Sequence, residues 1–170
     1  MKALLSLFTS LILISPALGS EITFSLKEKV KSSQHVVIGK VIRVTKTDKY
    51  PKVGYGDRIK EGIIIELRIS EIFKGHKKYK DLKIHTAVIS ASAGFRGSNV
   101  KKDKEFLAYL KEKDGYLTLT GFSVQYLEPI DRSKNEANDI GQNLNKVKLD
   151  KKINDIVKIT QQPVRSNTIK

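Results

Sequence analysis

The chain contains no cysteine. That excludes disulfides, thiolate metal sites and cysteine nucleophiles. It also has no HExxH, GxSxG, P-loop or Rossmann glycine fingerprint. Its histidines, His35, His76 and His85, stand singly, which favours structural or surface roles over metal or catalytic ones. Glu66 and Glu71 share an expected strand at a spacing that puts them on opposite faces, a poor acid–base pair. The sequence therefore predicts a non-enzymatic protein with no catalytic residue, no metal site and no small-molecule cofactor.

Long apolar runs are equally scarce. One lies at the N terminus, from Ala3 to Ile14, after the positive charge of Lys2. Pro16 then breaks it, and Ala17-Leu18-Gly19 supplies the small residues of a cleavage site. The run falls short of the roughly 20 residues that span a bilayer, so residues 1–19 read as a cleavable signal rather than a retained anchor. With no cysteine beside the cleavage site, a lipoprotein anchor is excluded, and no transmembrane anchor is expected. Disulfide-free export fits a bacterial periplasmic or secreted protein better than a eukaryotic secreted one.

What the chain has in excess is lysine. The formal net charge is +14, and of this only Lys2 belongs to the expected signal. Such a surplus attracts anionic glycans, lipid head groups or nucleic acid, although solvated lysines spread over a surface give the same total.

The remaining chain divides into an expected β-domain over 20–130 and a charged extension over 131–170. Ser25 and Glu28 form an S-x-x-E capping box for a short helix with Leu26 and Val30 on one face. Strands are expected at about Val36–Val44, Gly62–Phe73, Leu82–Val88, Glu105–Lys111 and Tyr116–Val124. Gly39 marks a bend in the first. In the second, Ile63, Ile65, Leu67 and Ile69 alternate with Glu66, Arg68 and Ser70. Lys113-Asp114-Gly115 is a hairpin signal. Five short strands with one long first loop predict an all-β fold, a five-stranded OB-type Greek-key barrel with a short N-terminal helix and a C-terminal helical tail. Leu149, Ile153 and Ile156 place an exposed, marginal helix somewhere between Asn138 and Ile159, followed by a disordered tail from Gln161.

Two basic clusters fall in expected loops. Lys74, Lys77, Lys78 and Lys80 enclose Tyr79, and Arg96, Lys101, Lys102 and Lys104 precede the fourth strand. Basic residues with interleaved aromatics suit an anion-binding groove. Tyr50 and Tyr55, in the loop over 46–61, either stack on a ligand or pack back on the barrel.

Ser33-Gln34-His35-Val36-Val37-Ile38-Gly39-Lys40-Val41 resembles the opening strand of secreted domains similar to the tissue inhibitors of metalloproteinases, the netrin-like class. Ile69-Ser70-Glu71-Ile72-Phe73-Lys74-Gly75 is similar to their second strand end, and Glu105-Phe106-Leu107-Ala108-Tyr109-Leu110 to a later strand. Ala93-Gly94-Phe95 lies where many members carry a Cys-Gly pair. The resemblance implies an OB fold and a protein partner reached through the mature N terminus, here Ser20, Glu21 and Ile22. It also implies zinc chelation by main-chain atoms of a disulfide-held first residue, and this chain has no disulfide to hold Ser20. The expectation is an exported binding protein with a protein partner; the alternatives are a polyanion-binding module and a cell-envelope component. The sequence leaves the oligomeric state open.

Overall fold

A computed structural model of the chain describes residues 24–52, 59–75, 80–89, 100–121, 124–133 and 144–161. The expected signal, Ser20, Glu21, Ile22, Tyr55, Lys77, Lys78, Tyr79, Arg96 and the tail beyond Gln161 lie outside the described residues.

Helix α1 spans Leu26–Ser32. Its capping box forms as the sequence predicts. The Glu28 N–H donates to Ser25 Oγ at 3.3 Å, and the Ser25 N–H donates to the Glu28 carboxylate at 2.8 Å. Both bonds satisfy amides that a helix start leaves open.

The strands are β1 (His35–Thr47), β2 (Ile59–Lys74), β3 (Asp81–Ile89), β4 (Glu105–Lys113), β5 (Tyr116–Leu119), β6 (Leu127–Asp131) and β7 (Leu144–Asn145). They make one mixed sheet in the order β3-β2-β1-β4-β6-β7, with β5 on β4. The described residues are thus mostly β, with two α-helices among them. β1 pairs with β2 along nearly its whole length, but with β4 only over His35–Lys40. β3 covers the other half of β2, from Ile59 to Arg68. The sheet therefore changes neighbours midway. A register shift lies at that point, between Ile38 and Gly39. A Cβ on Gly39 would sit 3.0 Å from the Arg68 carbonyl, so the close approach of β2 needs a glycine there. The bend expected from Gly39 is present.

The β4–β5 turn carries positive φ at Asp114 (53°) and Gly115 (77°), as a tight hairpin requires. The alternation in β2 holds as well: Ile63, Ile65 and Leu67 are buried while Arg68 faces water.

Three features depart from expectation. β5 ends at Leu119 instead of Val124, because the Tyr126 ring packs against Gly121 and the chain turns there. Two further strands follow. β6 pairs with β4 despite Pro129, and β7 joins β6 in parallel. Finally, helix α2 (Lys146–Gln161) is docked on the core. Leu149 and Ile156 are fully buried, and Ile153 and Ile159 pack against them. Their spacing gives the face correctly, but that face meets a partner surface and is not left exposed.

No ladder joins β3 to β5 among the described residues. The two strands meet through the rings of His85 and Tyr116, 4.9 Å apart. The segment after β1 crosses this seam. The Lys49 carbonyl lies 3.0 Å from His85 Nδ1, and the Lys52 N–H donates to Asp114 Oδ2 at 2.9 Å. Pro51 is buried, and Tyr50 packs on Gly62, so this tyrosine turns back onto the sheet.

Candidate anion-binding surface

The sheet bend organises the charges. Glu105, Lys40, Arg68 and Asp81 are successive cross-strand partners on β4, β1, β2 and β3. They form one transverse row. Strand spacing sets its ends about 14 Å apart. The predicted lysines sit at both ends. Lys80 precedes Asp81, is exposed, and is held by the Ile69 N–H donating to its carbonyl at 2.8 Å. Lys101, Lys102 and Lys104 are exposed in the turn before β4.

That turn is clamped to β1. The Val41 N–H donates to the Lys104 carbonyl at 2.9 Å, and the Asp103 N–H donates to the Val41 carbonyl at 2.8 Å. Asp103 adopts a φ of 67°, a left-handed conformation that Asp tolerates better than most residues. Its carboxylate then pairs with Lys40 at 3.1 Å. The hydrogen bond from Lys40, followed by its charge, holds the Asp103 carboxyl below the usual carboxylate range.

Strand cations are mostly matched in this way. Arg68 meets Asp81 at 3.5 Å, Arg43 and Lys83 flank Glu66 at 3.8 Å each, and Lys46 meets Glu61 at 2.7 Å. Arg132 bridges Glu105 at 2.7 Å and Glu71 at 3.3 Å. Glu66 and Glu71 are thus held by different cations, as their spacing suggests. Lys80, Lys101, Lys102 and Lys104 have no carboxylate within ion-pair distance among the described residues.

Lys74 is placed differently from the other predicted lysines. Its ammonium donates to the carbonyls of Val30 at 2.8 Å and of Ser33, at the end of α1. These are the acceptors that a helix C terminus leaves open. Partial burial pushes the Lys74 pKa down. The structure thus brings Lys80 and Lys101–Lys104 to the two edges of one bend and turns Lys74 onto α1.

A second charged cluster escaped the sequence. Glu128 on β6 accepts from Lys29 of α1 at 2.6 Å and from Lys152 of α2. The Lys29 and Glu128 side chains are 8% and 10% exposed, so this is a buried ion pair. Lys29 also lies 5.1 Å from the centre of the Tyr109 ring and donates to the Gln125 carbonyl. The Tyr109 hydroxyl is buried with no partner at hydrogen-bonding geometry. Burial first, then the nearby Glu128 carboxylate, raises its pKa far above the ordinary phenol value. No spacing signal links these residues, since Lys29 and Glu128 are 99 positions apart.

An open depression of about 450 Å³ lies at the other end of β1, lined by Gln34, His35, Gly75 and Glu112. The buried His35 ring fills the space beside Gly75 that a Cβ would need. Among the described residues no three His, Asp or Glu side chains converge as a metal site, and no helix is long and apolar enough to cross a membrane. No protein-family model and no curated protein matches the chain.

Proposed function

We propose that the chain is an exported, non-enzymatic binding domain of the OB type whose ligand is an extended anionic polymer. Three antiparallel neighbours β1–β2–β3, β4 returning to β1, and β5 standing beside β3 together support the Greek-key barrel reading. One observation carries the function: exposed lysines without carboxylate partners stand at both edges of the bend, Lys80 at one and Lys101, Lys102 and Lys104 at the other, while the cations between them are matched. A polymer can reach both edges at once, and each neutralised charge releases counterions. The resemblance to the inhibitor class keeps a protein partner as the competing reading, through Ser20, Glu21 and Ile22.

The test is retention of mature protein on immobilised heparin against salt. Lys101, Lys102 and Lys104 replaced by Ala should lower affinity about ten-fold or more at moderate salt and flatten the salt dependence. The same replacement at Lys146, Lys151 and Lys158, exposed on α2, should cost much less. Equal losses in both sets, or elution of the unaltered protein at very low salt, would reject the reading.

A further inference from the structure

Within that surface, one arrangement points to a particular chemical group. Lys40 and Arg68 are direct cross-strand partners, with Cβ atoms about 4.5–5.5 Å apart, and both face water. Like charges placed directly opposite repel, so the pair has an unfavourable element that a shared anion would relieve. At present each cation is served separately, Lys40 by Asp103 and Arg68 by Asp81. Neither carboxylate bridges the two. The Arg68 contact is one long Nε approach of 3.5 Å, so its two-pronged fork is not used.

We propose that Lys40 and Arg68 together hold one tetrahedral oxyanion of the bound polymer, a sulfate or phosphate group, which displaces Asp103 and Asp81. This rests on the polyanion reading above. A sulfate or phosphate ester presents three terminal oxygens, and an internal polyphosphate unit two that can each accept twice, enough to accept from the Lys40 ammonium and both prongs of Arg68. Exposed ion pairs contribute little, so little is lost when they open. Arg43 and Lys83 flank Glu66 one row further along, and Glu105 on the other side is held by Arg132, so no unmatched carboxylate adjoins the pair. The freed Asp103 lies beside Lys102, and the freed Asp81 beside Lys80. A carboxylate polymer would only exchange like for like. The site therefore selects sulfated or phosphorylated polymers over carboxylated ones.

The experiment compares heparin, inorganic polyphosphate and poly-L-glutamate by titration at fixed salt. The unaltered protein should bind the first two about ten-fold more tightly than the third, roughly the worth of one charge-assisted hydrogen bond. A difference between heparin and polyphosphate identifies whether sulfate or phosphate is the better occupant. Lys40→Ala with Arg68→Ala should erase the preference while poly-L-glutamate still binds. Asp103→Asn should tighten heparin binding more than Asp150→Asn on α2, because Asn tolerates the left-handed turn and leaves Lys40 unclaimed. If the preference survives the double variant, or the two Asp variants are equal, the anchor is rejected while the Lys101, Lys102 and Lys104 test still stands for the wider reading. If no polymer binds the unaltered protein, the wider reading fails first.

Discussion

Glu128 and Asp103 each hold a lysine ammonium, one inside the molecule and the other in water. Glu128 gathers Lys29 from α1 and Lys152 from α2 onto β6, with both members of the Lys29 pair buried. Asp103 gathers only Lys40, with side chains 66% and 55% exposed. The chemistry is the same and the surroundings decide its use. A buried charge must keep its partner, because removing one leaves the other uncompensated. An exposed charge can trade partners at small cost, since water solvates whichever group is released. The first arrangement suits fixing two helices to a sheet. The second suits ligand exchange.

The sharpest way to break this comparison is Glu128→Gln. The change keeps the shape and removes the charge, so Lys29 is left buried without a counter-ion. We expect a loss of about 3–5 kcal/mol, as for other buried pairs broken at one end. A domain of this kind holds only about 5–15 kcal/mol in all, so both helices should become protease-sensitive. Chemical denaturation monitored by circular dichroism measures it. A loss near that of an exposed pair would show that Lys29 escapes to solvent and that the contrast is overstated.

Much of the sheet could be read in the sequence, and little of this buried cluster. Alternation along β2, Gly39, the Asp114-Gly115 turn and the Ser25–Glu28 capping box are local signals, each decided by residues a few positions apart. Glu128 and Pro129 are both poor strand formers, and no strand is expected over them. Yet β6 forms there by pairing with β4, and the charges that Glu128 needs come from Lys29 and Lys152 on distant elements. The lysines of α2 similarly made the helix look exposed, although one of them is turned toward Glu128. On the surface, the positions of Lys80 and Lys101–Lys104 in loops were legible. That two loops reach the edges of one bend depended on pairing register, which no single segment encodes.

Tyr109 sharpens the buried side of the comparison with a smaller effect. Its phenol titrates far above its ordinary value when folded, because burial and then Glu128 oppose the phenolate. In the unfolded chain it loses its proton near pH 10. The folded state therefore binds more protons above that pH, and stability falls as pH rises further. Tyr109→Phe should flatten this alkaline decline in denaturation series from pH 9 upward. At neutral pH the same change should cost about 1 kcal/mol or less, because the hydroxyl makes no well-aligned hydrogen bond and the nearby Glu128 carboxylate is already held by Lys29 and Lys152. An unchanged alkaline slope would mean that the phenol is solvated in the folded protein.

Asp103→Asn should do least to the fold. The side chain is exposed, its φ of 67° is one that Asn adopts as readily, and the Asp103 N–H to Val41 hydrogen bond does not involve the carboxylate. Because Lys40 holds the Asp103 carboxyl below its usual range, the pair contributes its small stabilisation above the ordinary carboxylate pKa and loses it as pH falls through the lowered value. At neutral pH the variant should therefore unfold at nearly the same denaturant concentration as the parent, as exposed pairs contribute little. The acid limb of its stability profile should be shallower, since one proton-linked group is gone. A loss as large as that of Glu128→Gln would make the two carboxylates equivalent and leave no reason to assign them different work. A near-neutral stability change joined to tighter binding of sulfated polymer would place structure at one end of the sheet and exchange at its bend.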